Sequence, residues 1–374
     1  MDTDATDDQQ ALLDVSAQFM EDTCPLTLIR DSDQRDAAFN EAYRRQGAEL
    51  GWYSMLVPEG LGGGCISDNG LLDATLIAYK RGGLLQPGSF VGTNVTAHAL
   101  AEAGSDELRQ KVLPGLVNGD VSASWAVAGS DSQRLDSGVE AKPTDDGGLT
   151  LSGVKIAVQD VEPSSWLLVT GQSPNGAAQA LVAADAAGVV VTPLDSLDLS
   201  RRFAEVTFDG VQVPPSAVVG TPGAIDDLLD RQLAIAATLT AAEAVGAMDY
   251  EFEMTVQYAK DRIAFGRPIG SFQAVKHLLA DTSLAVEIGK AVVLAAARSL
   301  GSGDDHGPQA ASMAKAMVGD AAIDLAQNCF QVFGGIGYTW EHDQHLYLRR
   351  LTTDSGLYGD ASWHREHLCQ LAGI

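Results

Sequence analysis

The sequence predicts an α+β fold in three consecutive units. These are an N-terminal helical domain over 1–120, a middle antiparallel β-barrel or sandwich over 121–222, and a C-terminal four-helix bundle over 223–374. Three observations predict it. Apolar residues recur at three- and four-residue spacing up to about residue 120. Short alternating or β-branched runs, punctuated by turn residues, fill the middle. Long Ala-rich apolar faces with short breaks return from about residue 224.

In the first unit the helical spacing covers 11–20, 37–50, 71–78 and 93–103. Between the second and third of these lies Val-Pro-Glu-Gly-Leu-Gly-Gly-Gly (57–64). It lacks the preceding strand and the Lys-Ser/Thr ending of a nucleotide loop, so it reads as an interhelical turn. In the second unit strands are expected over 148–156, 166–170, 180–184, 188–193 and 204–213, with Asp-Asp-Gly-Gly, Ser-Pro-Asn-Gly and Asp-Gly as turns. Pro214-Pro215 and Thr-Pro-Gly at 221–223 close that unit. In the third, four helical segments run over 225–262, 272–300, 308–333 and 344–371, with one face free to meet a partner subunit.

The first of those segments runs into Arg-Ile-Ala-Phe-Gly-Arg-Pro-Ile-Gly-Ser-Phe-Gln (262–273). The guanidinium of Arg262 suits a phosphate, which it can meet with parallel charge-assisted hydrogen bonds, and Phe265 suits a flat ring. Without a second motif, the same residues read as a helix-end cation and a core ring.

Bulk properties exclude several classes. The 374 residues suffice for two or three sizeable cores, and no apolar run approaches the roughly 18 residues that span a membrane. The acidic N-terminus is the opposite of a targeting segment. Cys24, Cys65, Cys329 and Cys369 are scattered, with no metal spacing, and are expected to be reduced thiols in a cytoplasmic protein. A net charge of -26 excludes a nucleic-acid backbone as partner.

The chain resembles the acyl-CoA dehydrogenase family from about residue 50 to its end. The resemblance rests on the loop at 57–64, GSDELRQKVLPGLVNGD at 104–120, LSRRFAEVTFDGVQVP at 199–214, the R-x-x-F-G-x-P-I-x-x-F-Q pattern at 262–273 and QVFGGIG at 331–337, in family order. It implies FAD shared across a dimer interface, with the flavin ring on one subunit's β domain and the adenosine diphosphate arm on its neighbour's bundle. By similarity, Arg262, Phe265, Gln331, Gly334 and Gly335 would hold that arm.

The resemblance also marks what has gone. Family members remove an α-proton with a carboxylate and pass a β-hydride to the flavin. At the usual Glu position in the C-terminal turn this chain has Tyr358 or Gly359, depending on a one-residue shift, within Leu-Tyr-Gly-Asp-Ala. The family's alternative base position, on the helix before Arg262, is Ala236, followed by Ala237 in place of Arg. The flavin-lining Thr-Glu-Pro-x-x-Gly-Ser-Asp loop reads Ser-Trp-Ala-Val-Ala-Gly-Ser-Asp at 124–131, keeping hydroxyls at Ser124 and Ser130. The Trp-Ile-Thr/Ser-Asn segment that packs on the flavin reads Ala157-Val158-Gln159-Asp160. Asp360 is the remaining candidate base, with a turn Asp as its plain alternative. Glu243 reads as a face or interface carboxylate. His342 and His345, and His364 and His367, are spaced three apart, without the acidic or Cys pattern zinc needs.

The preferred expectation is therefore a subunit without its own catalytic base, in an α2β2 acyl-CoA dehydrogenase of the actinobacterial sterol side-chain type. It would complete the FAD site of a homologous catalytic subunit, which takes most of the acyl-CoA contact and passes electrons to an electron-transfer acceptor. The alternatives are a self-sufficient homo-oligomer using Asp360 or an unrecognised base, and a non-redox scaffold of the same fold.

Overall fold

A computed structural model describes residues 5–31, 37–129, 136–161 and 164–374. Helix α1 (Asp7–Thr23) starts in a capping box: the Thr6 hydroxyl accepts from the Gln9 N–H, and Gln9 returns the bond to the Thr6 N–H. Helices α2 (Leu26–Arg30) and α3 (Ala37–Glu49) follow, then α4 (Gly70–Gly83) and α5 (Phe90–Ala103). The glycine-rich loop is the expected interhelical turn, with one short 3₁₀ turn at Glu59–Leu61. Helices α6 (Asp106–Lys111) and α7 (Leu113–Val117) lead into the sheet.

The middle unit holds β1 (Ala123–Ala126), β2 (Val139–Pro143), β3 (Leu149–Gln159), β4 (Trp166–Ser173), β5 (Gly176–Ala183), β6 (Val189–Leu194), β7 (Phe203–Val213) and β8 (Val218–Val219). Their order is β6-β7-β3-β2-β4-β5-β8, with β1 paired to β4. The expected middle β unit is present but not as a closed barrel: the described sheet is open, and within its mainly antiparallel pairing β1 and β2 run parallel to β4. Sequence spacing missed β1 because all four of its residues are buried and no alternation survives. The strand enters beside β4 directly from the helical unit, where Thr93 Oγ1 both accepts from the Ala123 N–H and donates to its carbonyl. The edge strand β6 carries Pro193, which suits an unpaired side.

The third unit comprises α8 (Asp226–Asp261), α9 (Gln273–Gly301), α10 (Gly307–Phe333), α11 (Gln344–Gly356) and α12 (Ala361–Leu371). The fourth expected bundle helix is thus two helices. Leu357-Tyr358-Gly359-Asp360 interrupts it, with φ of 55° at Tyr358 and 98° at Gly359, and the Asp360 side chain caps α12 by accepting from the Trp363 N–H at 2.7 Å. Between α8 and Phe272, strands β9 (Ile263–Ala264) and β10 (Arg267–Pro268) form a miniature hairpin.

Helices α4 and α8 cross closely. A Cβ on Gly82 would meet the Glu243 carbonyl oxygen at 1.8 Å, and one on Gly246 would meet the Tyr79 carbonyl oxygen at 1.9 Å. Beside that crossing lies a buried charge cluster. Arg201 Nη2 contacts Glu243 Oε2 and Asp354 Oδ1, both at 2.6 Å. Arg350 reaches Asp354 at 2.8 Å and Glu243 at 3.0 Å, and Arg81 Nε lies 3.6 Å from Glu243 Oε1. Asp198 adds a carboxylate 4.0 Å from Arg201. Glu243 is therefore no face or interface carboxylate: it is buried because three guanidiniums compensate it. They also hold its carboxyl below the ordinary value, against the desolvation that would raise it.

Deeper in the bundle, Glu251 is buried with Gln344 as its side-chain hydrogen-bond donor and, among the described residues, no cation. Burial pushes its carboxyl up to about 8. The unfolded chain ionises this group near 4.5, so between those values unfolding releases a proton and rising pH destabilises the fold. Glu251→Gln should match the wild type near pH 5 and exceed it by several kcal/mol, in order of magnitude, above pH 8. Thermal unfolding at stepped pH reads the difference, and parallel curves would refute it. Glu243→Gln, by contrast, strips counter-charge from three buried arginines. We expect a loss of about 3–5 kcal/mol, read as a lower urea midpoint.

Candidate functional site

The first group of site residues gathers at one end of the bundle. Arg262 is exposed at the C-cap of α8, and its N–H bonds the Tyr258 carbonyl at 2.9 Å. Phe265 and Gly266 form the tip of the β9–β10 hairpin, with φ of 53° and 80°. Two positive values suit a tight hairpin, but a Phe in that region is unusual and costs local strain. The ring is 95% exposed, edge-on to Phe272 at 6.2 Å, so this hairpin holds an aromatic side chain out to solvent rather than in the core.

Gln331 lies exposed on the last turn of α10. Gly334 follows at φ 61°, ψ −137°, and a Cβ on Gly334 or Gly335 would meet nothing within 4 Å. The backbone there is open to close approach by a ligand or a neighbouring chain. Tyr258 and Phe333 bring the two motifs together, with ring centroids 4.7 Å apart. Ile263, Ile336, Tyr338 and Trp340 add exposed apolar area at this end. An open glycine cradle, an exposed guanidinium and an exposed aromatic face fit a diphosphate-bearing ligand with a flat ring.

The second group lies against the sheet and presents its polar groups inward. Ala157 has φ 49° at a register shift between β3 and β7, and Asp160 has φ 52°. Gln159 Nε2 donates to Asp160 Oδ2 at 2.8 Å, while Gln159 Oε1 has no partner. Ser124 Oγ donates to the Asp160 carbonyl at 3.1 Å and lies 2.9 Å from Ser164 Oγ. The hydroxyl is therefore taken up by the protein itself. Ser130 lies outside the described residues.

Trp125 Nε1 donates to Thr170 Oγ1 at 3.0 Å, and Thr170 also accepts from Gln179, which exchanges amide bonds with Gln232 on α8 at 2.8 and 2.9 Å. The Trp125 ring stacks on Tyr358, with centroids 5.8 Å apart at 17°. No sequence spacing signals this pair, because its two residues lie on different units.

The turn bearing Tyr358 is held from below. Lys315 Nζ donates to the Ser355 and Gly359 carbonyls, both at 2.9 Å. His364 Nε2 meets the Tyr358 carbonyl at 3.0 Å and its Nδ1 meets Ser312 Oγ at 3.2 Å. Burial lowers the Lys315 ammonium to about 8 and the His364 imidazole to about 3. A neutral His364 therefore donates from Nε2 and accepts at Nδ1.

Neither expected base seat carries a carboxylate: Ala236 is buried apolar surface and the C-terminal turn holds Tyr358-Gly359, while the remaining candidate, Asp360, is the α12 cap with its side chain directed to the Trp363 N–H. The other three histidines of the two i, i+3 pairs have structural partners. His345 stacks on Trp340, His367 stacks on Trp363, and the His342 Nδ1 accepts from the Gln344 N–H. Among the described residues no group of three His, Cys, Asp or Glu side chains is placed to hold a metal.

Known proteins give this geometry a context. The acyl-CoA dehydrogenase N-terminal domain model matches residues 6–120, and the C-terminal domain model matches 227–370. Acyl-CoA dehydrogenase FadE34 of Mycobacterium tuberculosis is 33% identical over 320 residues, 85% of this chain but 40% of that protein, so the chain spans less than half of this relative. The ChsE4-ChsE5 complex from Mycobacterium tuberculosis aligns at TM-score 0.89 and 26% identity, covering 100% of this chain and 99% of its counterpart. The Tcur3481-Tcur3483 steroid acyl-CoA dehydrogenase aligns at 0.87 and 27%, covering 98% of each chain. FAD is the cofactor of the family to which these similarities point. With both terminal domain models matched and the fold shared along its whole length, the chain belongs to the acyl-CoA dehydrogenase family.

Proposed function

We propose that this chain is the non-catalytic subunit of a cytoplasmic, heteromeric α2β2 acyl-CoA dehydrogenase, and that it completes the FAD site of a homologous catalytic subunit. One observation carries the reading. The surface suited to a neighbour's cofactor arm is open, whereas at the chain's own flavin and base positions Gln159 bonds Asp160 and Trp125 stacks on Tyr358.

In that role Arg262 binds the diphosphate, Phe265 stacks on the adenosine side, Gln331 offers its amide, and Gly334 and Gly335 admit the chain closely. FAD, when bound, supplies the hydride-accepting ring for α,β-dehydrogenation of a CoA thioester. The proton-accepting carboxylate comes from the sister subunit, because Tyr358, Gly359 and Ala236 cannot provide one. The acyl substrate then sits mainly on the sister chain, and an electron-transfer acceptor reoxidises the cofactor. A steroid side-chain acyl group is the narrower substrate class, supported by the similarity to a steroid enzyme. The domain boundaries at 120 and 222 belong to the same proposal.

Co-expression with a sister chain, followed by flavin absorbance and subunit mass, tests the assignment. The expected outcome is FAD at one per two chains, and only in the complex. Stoichiometric flavin and dehydrogenation by this chain alone would overturn the proposal in favour of a self-sufficient enzyme. No flavin in any combination would favour a scaffold. Within the complex, Arg262→Ala should weaken FAD binding by about 10- to 100-fold, the equivalent of one charged hydrogen-bonding group. Unchanged flavin retention in that variant would count against the assigned arm.

A further inference from the structure

We infer that the Tyr358 ring closes this chain's own acyl pocket against a CoA thioester, and that Lys315 and His364 are positioning residues that hold it closed. The inference rests on the family reading for what such a pocket takes, and it does not depend on the heteromer.

Tyr358 occupies the turn where the family's base is expected, and its stacking partner Trp125 occupies the flavin-lining loop. The reacting end of an acyl thioester belongs between those two places, and here the two side chains are in contact. Trp125 cannot swing away without breaking its bond to Thr170, whose hydroxyl is itself held by Gln179. Around the phenol lie the charges of Arg201, Glu243, Asp160 and Asp354, and burial raises its ionisation well above the ordinary value. The cluster formed by Arg81, Arg201 and Arg350 with Glu243 and Asp354 spans α4, α8, α11 and the segment before β7. An acyl chain entering there would have to displace ions that are paired and desolvated.

The turn is built to keep the ring in this pose. A non-glycine residue at φ 55° is strained, and Lys315 bonds the Ser355 and Gly359 carbonyls on either side of it. His364 takes the Tyr358 carbonyl itself. A Cβ on Gly359 would lie 2.8 Å from the Trp363 ring and 2.9 Å from His364, so the residue after Tyr358 is confined to glycine as the turn stands. If closure is its role, removing the ring should create a binding site rather than merely a cavity.

The test uses the full chain and butanoyl-CoA in equilibrium dialysis, with near-UV circular dichroism to establish folding. Tyr358→Gly removes the ring and tolerates the positive φ. It should bind the probe about tenfold or more tightly than the wild type. Tyr358→Phe keeps the ring and should stay at the wild-type level. Lys315→Met, which frees the turn while leaving the ring, should fall between the two, and it carries the test if Tyr358→Gly does not fold. Wild-type binding equal to that of a folded Tyr358→Gly, or less than twofold gain in both opened variants, would overturn the inference. Because the readout is thioester binding by one chain, it is separate from flavin stoichiometry in the complex, and either reading can fail alone.

Discussion

The position of every unit depends on the buried ion cluster beside the α4–α8 crossing. Its members come from four separate stretches: Arg81 on α4, Asp198 and Arg201 before β7, Glu243 on α8, and Arg350 and Asp354 on α11. Burying these groups carries a large desolvation cost, which is offset only when each charge has near-ideal partners. Several further contacts come from the surrounding chain, although Arg81 Nε and Arg350 Nη2 make ion-pair contacts without a hydrogen bond. Arg81 Nη2 bonds the Pro87 carbonyl at 2.6 Å, its guanidinium lies over Trp52 and Phe90, and Arg350 Nη1 reaches Ser200 Oγ at 3.0 Å. A shift of any one unit would break bonds in all of them, so the cluster fixes register among units rather than adding net stability. It also fills space beside Tyr358, which links the packing of the fold to the closure of the pocket.

The two ends of the site obey opposite rules. Around Tyr358 most polar atoms are used within the chain, whereas around Arg262 the polar and aromatic groups face outward. The contrast is a difference of burial as much as of residue type. Phe265 is apolar and exposed, while Glu243 is charged and buried. Each is costly on its own: an exposed aromatic loses its hydrophobic contribution, and a buried carboxylate loses hydration. Glu243 recovers the cost within the chain through three arginines. Phe265 has no comparable cover within this chain, where Phe272 meets it only edge-on.

Sequence patterns gave the local structure and missed what depends on distance. The periodic stretches at 11–20, 71–78 and 93–103 fall inside α1, α4 and α5, because apolar spacing within one helix is a local signal. The alternating run at 204–213 falls within β7 for the same reason. Strand β1 escaped, since a fully buried strand has no alternation. The open, mixed sheet escaped because strand direction is decided by pairing partners and not by pattern. The break at 357–360 looked continuous because α11 and α12 share a helical apolar period across four residues. The burial of Glu243 has no local signal because its neutralising arginines lie elsewhere: Arg201 is 42 residues away in sequence and Arg81 is on another helix. The family motifs, by contrast, were legible as short strings, and the end of the bundle brings 262–265 and 331–335 together through Tyr258 and Phe333.

Backbone strain joins the two halves of the site. Among the described residues, the non-glycine positions at positive φ are Leu85, Ala157, Asp160, Phe265 and Tyr358. Ala157 and Asp160 lie in the segment that packs on flavin in the family, Tyr358 lies in the base turn, and Phe265 lies in the proposed adenosine arm. Strain of this kind persists only where the surrounding structure over-determines it, and it gathers at functional sites. Ala157 shows the point most simply, since a small side chain with no polar contact gives no local reason for φ 49°. The bulge between β3 and β7 imposes that angle. The strained backbone persists at Asp160 and Tyr358 while their side chains meet Gln159 and Trp125 of the same chain. Of these positions, Phe265 carries its ring out to solvent, with the exposed Arg262 three residues before it.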